Sequence, residues 1–162
     1  LDLAKLRAHR FTVQSEEVDL GRLVEQAHTA FSEEARARGI DLRLHVHGEP
    51  PTIVSDGDRI LQIVTNLLRN ALAWTPDGGR VDLTLDTKDG LQIGVADTGP
   101  GIPAEQRDAI FRPFVSSDTQ GTGLGLPIAL ELSRALGGRI DLVSTLGVGS
   151  QFMVRLPLSP SA

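Results

Sequence analysis

Residues 121–126, GTGLGL, lead into an apolar helical run. The free N–H groups of such a glycine string, with those of the helix's first turn, make a site for an anion. The spacing is GxGxG and it follows a loop, so it is not the dinucleotide-binding GxGxxG; no Gly-Lys-Ser/Thr occurs anywhere to make a P-loop. A second cluster, DTGPGI at 97–102, comes directly off a strand. Asp97 at a strand end can reach into a pocket, and Gly99 and Gly101 let the backbone turn tightly and approach a ligand with no Cβ in the way. The third cluster is helical. In NLLRNALAWTP, Asn66 and Asn70 are four residues apart and share a face with Gln62, while Leu67, Leu68, Ala71 and Leu72 face the sheet. Taken singly, each cluster has a bland reading: a flexible loop, a strand-end turn, a solvated helix flank.

The periodicity of the chain supplies the elements that hold these clusters. Residues 1–7 put Leu3 and Leu6 on one helical face and read as the tail of a helix begun upstream, and 8–17 read as a polar linker. Asp19 can cap a helix carrying Leu20, Leu23, Val24, Ala27 and Phe31 at helical spacing and ending near Gly39. Residues 40–46 alternate as a half-buried strand, Pro50-Pro51 breaks it, and Ile53-Val54 allows a short strand at most. A long helix is expected over 56–74, strands over 80–86 and 91–97 joined at Asp89-Gly90, and a long loop over 98–123 with one helical turn near 105–110. A third helix over 124–136 stops at Gly137-Gly138, and a last hairpin pairs 139–145 with 151–157. Strands come in antiparallel pairs rather than a regular βαβ series. The fold class is therefore α+β, a two-layer sandwich with a mixed sheet and helices on one face.

Composition narrows the function classes. The 162 residues suit one domain, which buries roughly 70% of its unfolded surface. A net charge of −5 lacks the basic footprint of a nucleic-acid binder. With no cysteine, disulfides and thiolate metal sites are excluded. No apolar run reaches the roughly 18 residues of a membrane span, so no membrane contact is expected of this chain. The chain opens on leucine and is expected to be a piece of a longer protein.

NLLRNA, DTGPGI, FRPF (111–114), GTGLGL and GVGSQF (147–152) follow one another in the order and at the spacing of a known set. Over roughly residues 56–157 they resemble the N, first glycine, F, second glycine and last glycine boxes of the catalytic domains of bacterial sensor histidine kinases. The resemblance implies the Bergerat ATP-binding fold, with a mostly antiparallel sheet and about three helices, shared with gyrase, MutL and heat-shock chaperone ATPases. It divides the chain into 1–17, the end of a dimerisation helix and a linker; 18–158, the ATP-binding catalytic domain; and 159–162, a tail. It implies ATP and Mg²⁺ as cofactors. Asp97 would accept a hydrogen bond from the adenine amino group, which a carboxylate welcomes while it repels the guanine carbonyl. Gly99, Gly101 and Ile102 would shape the adenine pocket, and Trp74, standing where the family usually has Tyr or His, would cover base or ribose by stacking. Asn70 would offer its amide oxygen to Mg²⁺, with Asn66 assisting or touching a phosphate. Gly121, Gly123 and Gly125 would close over the phosphates, Thr122 and Ser150 would make secondary contacts, Phe114, Leu124 and Leu126 would belong to the same nucleotide site, and 115–120 would be a short lid.

The implied activity is delivery of the ATP γ-phosphoryl to a histidine on a separate dimerisation domain, and from there to a response regulator. His9, His28, His45 and His47 lack the phosphoacceptor motif, so that histidine lies elsewhere and this fragment is expected to be monomeric. The resemblance places the domain in the cytoplasm, beneath a parent sensor in the inner membrane. Gyrase-like and chaperone-like relatives carry Glu where this chain has Asn66; an amide cannot take a proton from water, so little ATP hydrolysis is expected and catalysis reduces to positioning and charge stabilisation. Two departures stand out. Ala73 replaces a frequent Lys or Arg, and 115–120 contains no basic residue, leaving Arg69 or Arg112 as substitutes. They motivate the alternative of a catalytically weakened nucleotide-sensing or docking domain. An anti-sigma-type serine kinase of the same fold is the other alternative.

Overall fold

A computed structural model describes residues 12–112 and 125–158. Helix α1 spans Leu20–Ala37 and is started by Asp19, whose carboxylate accepts the Arg22 N–H at 3.1 Å. Its buried stripe is Leu20, Leu23, Val24, Ala27, Phe31 and Ala35. Helix α2 spans Gly57–Trp74, with Asp56 as its N-cap, and buries Ile60, Ile63, Val64, Leu67, Leu68, Ala71 and Leu72. Helix α3 spans Gly125–Ala135. Each follows the apolar period read from the sequence, because a helix in a domain this size is held mainly by its buried face.

In chain order the strands are β1 (Glu16–Asp19), β2 (Asp41–His47), β3 (Thr52–Ser55), β4 (Arg80–Asp86), β5 (Leu91–Asp97), β6 (Arg139–Thr145) and β7 (Gly149–Leu156). Five form one sheet in the order β2-β4-β5-β7-β6, with β2 and β4 parallel and the other pairs antiparallel. Every second residue of the central strands is buried: Val81, Leu83 and Leu85 on β4, Ile93 and Val95 on β5, Phe152 and Val154 on β7. All three helices pack on the sheet, and the intervening positions, among them Arg80, Asp82, Gln92, Met153 and Arg155, are only partly covered. The molecule is the expected α+β two-layer sandwich. The parallel β2–β4 pair is joined through β3 and α2, as a parallel pair requires a long crossover.

One element was not expected. β1 lies partly inside the segment read as linker and pairs antiparallel with β3, Val18 opposite Ile53, with both side chains buried. The long loop after β5 holds two 3₁₀ turns, Ala104–Gln106 and Ala109–Phe111, where one helical turn was expected.

Candidate functional site

The C-terminal turns of α2 and the end of β5 meet at one cavity. Asn70, Trp74, Asp97, Pro100, Gly101, Ile102, Ser150 and Phe152 line it. A second hollow shares Asn70, Trp74 and Ile102 with the first and is also lined by Ile110 and Leu126. Two clusters separated by a hairpin in sequence, the amide helix and the Asp-Gly turn, therefore share one space. Among the described residues the cavity is apolar with a few polar atoms, the pattern of a small-molecule site.

Asp97 is the last residue of β5, flanked by Val81 of β4 and Ser150 of β7. It is only 8% exposed. Burial pushes its carboxyl above the ordinary aspartate pKa, against the opposing pull of the Gly99 and Ser150 backbone N–H groups. The Gly99 N–H donates to Asp97 Oδ1 at 2.8 Å. A carboxylate kept at the edge of a cavity against its own solvation preference is a functional-site signal.

The turn after Asp97 is held from several sides. The Thr98 hydroxyl accepts the Arg80 N–H at 2.9 Å. Gly101 has φ +78°, and a Cβ there would stand 2.4 Å from the Thr145 carbonyl oxygen. Only glycine satisfies both conditions. The Ile102 N–H donates to Ser144 Oγ at 2.8 Å, and the Ser144 and Ser150 hydroxyls are 2.9 Å apart. Arg107 donates from Nη2 to the Ser144 carbonyl at 2.6 Å and from Nε to the Ile102 carbonyl at 3.4 Å. Ser144, Arg107, Pro100, Ile110 and Phe152 are the contributors that sequence reasoning missed. Ser144 and Arg107 carry no motif; Phe152 lies inside GVGSQF and was readable as core.

On α2, Asn70 Oδ1 accepts the indole N–H of Trp74 at 3.1 Å. Asn66 lies on the same face one turn earlier and is buried. Its Nδ2 donates to the Gly125 carbonyl at 3.1 Å, tying α2 to the first residue of α3, and its Oδ1 accepts from Arg69 Nη1 at 3.4 Å. Arg69 also lies 5.8 Å over the Phe31 ring. The end of α2 has no basic residue of its own. Arg38, just after α1, supplies the charge, donating to the Leu72 carbonyl and, at 2.7 Å, to the Thr75 carbonyl.

Gly125 and Leu126 open α3 beside this face; Phe114, Gly121, Thr122, Gly123 and Leu124, with the lid 115–120, lie outside the described residues. Of the remaining sequence candidates, Asn70, Trp74, Asp97, Gly101, Ile102, Leu126 and Ser150 come to the cavity, Gly99 braces Asp97, and Asn66 bridges two helices. The described histidines stand elsewhere. His28 meets the Leu42 carbonyl at 3.0 Å, and His45 meets Asp82 at 2.7 Å and stacks on His47. Among the described residues no group of three or more His, Cys, Asp or Glu could hold a metal ion. A cation at Asn70 would need its other ligands from a phosphate and water, which suits Mg²⁺ and its hard oxygen preference.

Comparison with known proteins agrees with this geometry. The profile of the family described as histidine kinase-, DNA gyrase B-, and HSP90-like ATPase matches residues 55–160. Sensor histidine kinase ZraS of Escherichia coli K12 is 36% identical over 88% of this chain, which spans 31% of ZraS. Full-length ShkA, solved with AMPPNP, superposes with a TM-score of 0.89 at 36% identity over 99% of this chain and 34% of its own. The catalytic domain of histidine kinase ThkA gives 0.83 at 31% identity, covering 91% of this chain and 97% of that domain. ThkA in complex with the response regulator TrrA gives 0.79 at 26% identity, over 98% of this chain and 47% of its own. The chain thus spans about a third of ZraS and of ShkA, and nearly the whole of an isolated catalytic domain. By the profile over its second and third helices and central strands, and by its likeness to these kinases, the chain belongs to the histidine kinase-, DNA gyrase B- and HSP90-like ATPase family, on the histidine kinase side.

Proposed function

We propose that this domain binds ATP with Mg²⁺ and delivers the γ-phosphoryl group to a histidine of a dimerisation domain in the same parent protein. The observation that carries it is the shared cavity of Asp97 and Asn70, an acceptor at a strand end opposite an amide helix. Asp97 accepts from the adenine amino group, Gly101 and Ile102 shape the pocket, and Trp74 covers base or ribose. Asn70 Oδ1 would hold the metal, Gly121, Gly123 and Gly125 would close over the phosphates, and Phe114, Thr122, Leu124, Leu126 and Ser150 would add further contacts to the nucleotide. Asn66 acts from its bridge to Gly125, placing the start of α3 against the phosphates. Mg²⁺ bound there would neutralise charge on the phosphates. The chain's own work is to bind and orient, so that the incoming imidazole nitrogen forms the bond to the γ-phosphorus as the bond to the ADP oxygen breaks.

Asn66 offers no base for water, and its nitrogen is already committed to Gly125. Steady-state ATP hydrolysis by the chain alone should therefore stay near background. Residues 18–158 make the ATP-binding unit, with β1 extending it to Glu16. As a reading of the whole, the parent is a cytoplasm-facing sensor at the inner membrane that passes phosphate to a response regulator, and the isolated fragment is monomeric. The test is γ-labelled ATP mixed with this chain and the parent's dimerisation domain. Acid-labile, alkali-stable label on the dimerisation domain is expected. Binding of ATP without such label would favour the nucleotide-sensing reading that Ala73 motivates.

A further inference from the structure

We propose that Trp74 is a positioning residue for the metal: its indole N–H fixes which end of the Asn70 amide is presented to a cation, and so sets how strongly a divalent ion joins the bound nucleotide. This role rests on the reading of the cavity as an ATP–Mg²⁺ site. Asn70 and Trp74 are four residues apart on the last turns of α2, and both line the cavity. Indole Nε1 stands 3.1 Å from Asn70 Oδ1.

An indole N–H is a donor only, so it tolerates one of the two orientations of a carboxamide. With the oxygen toward the indole, one lone pair of Oδ1 is engaged and the second is left for a cation. Turned over, the amide would set NH₂ against N–H, losing the bond and turning a donor toward any cation. A free asparagine side chain samples both orientations; this one is held in the one that can ligate.

The clamp is itself anchored. Arg38 binds the carbonyls of Leu72 and Thr75 on either side of Trp74, and Thr75 donates from Oγ1 to the Ala71 carbonyl at 2.6 Å. A ligand whose supporting residues are locked in this way keeps its geometry. Stacking on the nucleotide needs only the ring. The N–H has a separate task, and the two are separable by substitution.

Trp74→Phe keeps an aromatic ring and removes the donor. Calorimetric affinities for ADP, with and without Mg²⁺, should show the wild-type chain gaining affinity from the metal. In Trp74→Phe that gain should shrink by about fivefold, the worth of one ordinary hydrogen bond; the gain is a ratio within one variant, so a loss of ring stacking common to both measurements cancels from it. A second readout needs no folded variant. Trp74 is the only tryptophan, so ¹⁵N-labelled wild-type chain gives a single indole N–H signal. Adding Mg²⁺ to the ADP-saturated chain should move it, because a cation on Oδ1 withdraws density from the bond. An unchanged metal gain in Trp74→Phe, or an indole signal indifferent to Mg²⁺, overturns the role while leaving nucleotide binding intact. Failure of the wild-type chain to bind ADP at all would remove the nucleotide reading and this role with it.

Discussion

Removing the Asp97 carboxylate tests nucleotide recognition and burial together, provided the charge and the acceptor are removed separately. If Asp97 reads the adenine amino group as proposed, Asp97→Ala deletes a charge-assisted hydrogen bond worth about 1.5–3 kcal/mol, or roughly 10- to 150-fold in ATP affinity. It also strands the backbone donors of Gly99 and Ser150, costing the fold about 1–3 kcal/mol. Asp97→Asn keeps an oxygen for those donors, removes the charge and puts an NH₂ donor where the second carboxylate oxygen stood. Because burial raises the folded-state pKa above 3.8, ionisation of Asp97 costs stability. The carboxyl's contribution is most favourable below the unfolded value and is lost as pH rises through the folded value. The asparagine has no such loss, so the melting temperature of Asp97→Asn relative to wild type should rise across that window and be at least equal at neutral pH. Its amide can also donate to a guanine carbonyl, so the ATP-over-GTP preference should narrow. Calorimetry with both nucleotides and melting curves on either side of the window measure all of this. ATP affinity unchanged in Asp97→Ala would mean the purine lies elsewhere. An asparagine variant much less stable than wild type at neutral pH would refute the burial reasoning.

Gly101→Ala combines a left-handed φ with a Cβ driven into the Thr145 backbone. It should cost at least ~2 kcal/mol, a fall of about 4–8 °C in Tm, and weaken ATP binding in the same samples. Arg38→Ala frees two carbonyls at the end of α2 and should cost about 1–2 kcal/mol, whereas Asp77→Ala, removing its 77%-exposed partner, should cost no more than ~0.5 kcal/mol. Thermal melts of the two single variants distinguish a helix-end clasp from a surface ion pair.

What the sequence made legible is what periodicity and turn chemistry control. Strands β4 and β5 fall on the expected residues because their alternation is unbroken and Asp89-Gly90 closes the hairpin. β1 escaped because EEVD has a single apolar residue, too little for a period, and exists through its partner β3. The cavity was legible as a set of types, since Asp97, Gly101 and Asn70 each need a particular chemistry. How Asn70 and Trp74 engage was not, although they stand four apart in plain view. Trp74 was read for its ring, and the bond from its nitrogen depends on rotamers fixed by tertiary packing. Arg38 and Ser144 act across 34 and 42 residues of chain, and no local pattern announces such partners.

The place of β7 in the sheet bears on when the domain becomes competent as it leaves the ribosome. This last strand inserts between β5 and β6, and its first residue, Gly149, sits so close that a Cβ there would stand 1.9 Å from the Asp97 carbonyl oxygen. Ser150 beside it supplies one of the two backbone N–H groups that hold the Asp97 carboxylate. A nascent chain that has folded only through β6 therefore lacks one of the two N–H groups on Asp97 and one wall of the cavity. On the proposed reading of the cavity, purine recognition would switch on only with this strand, and a chain ending before it would lack a finished nucleotide site.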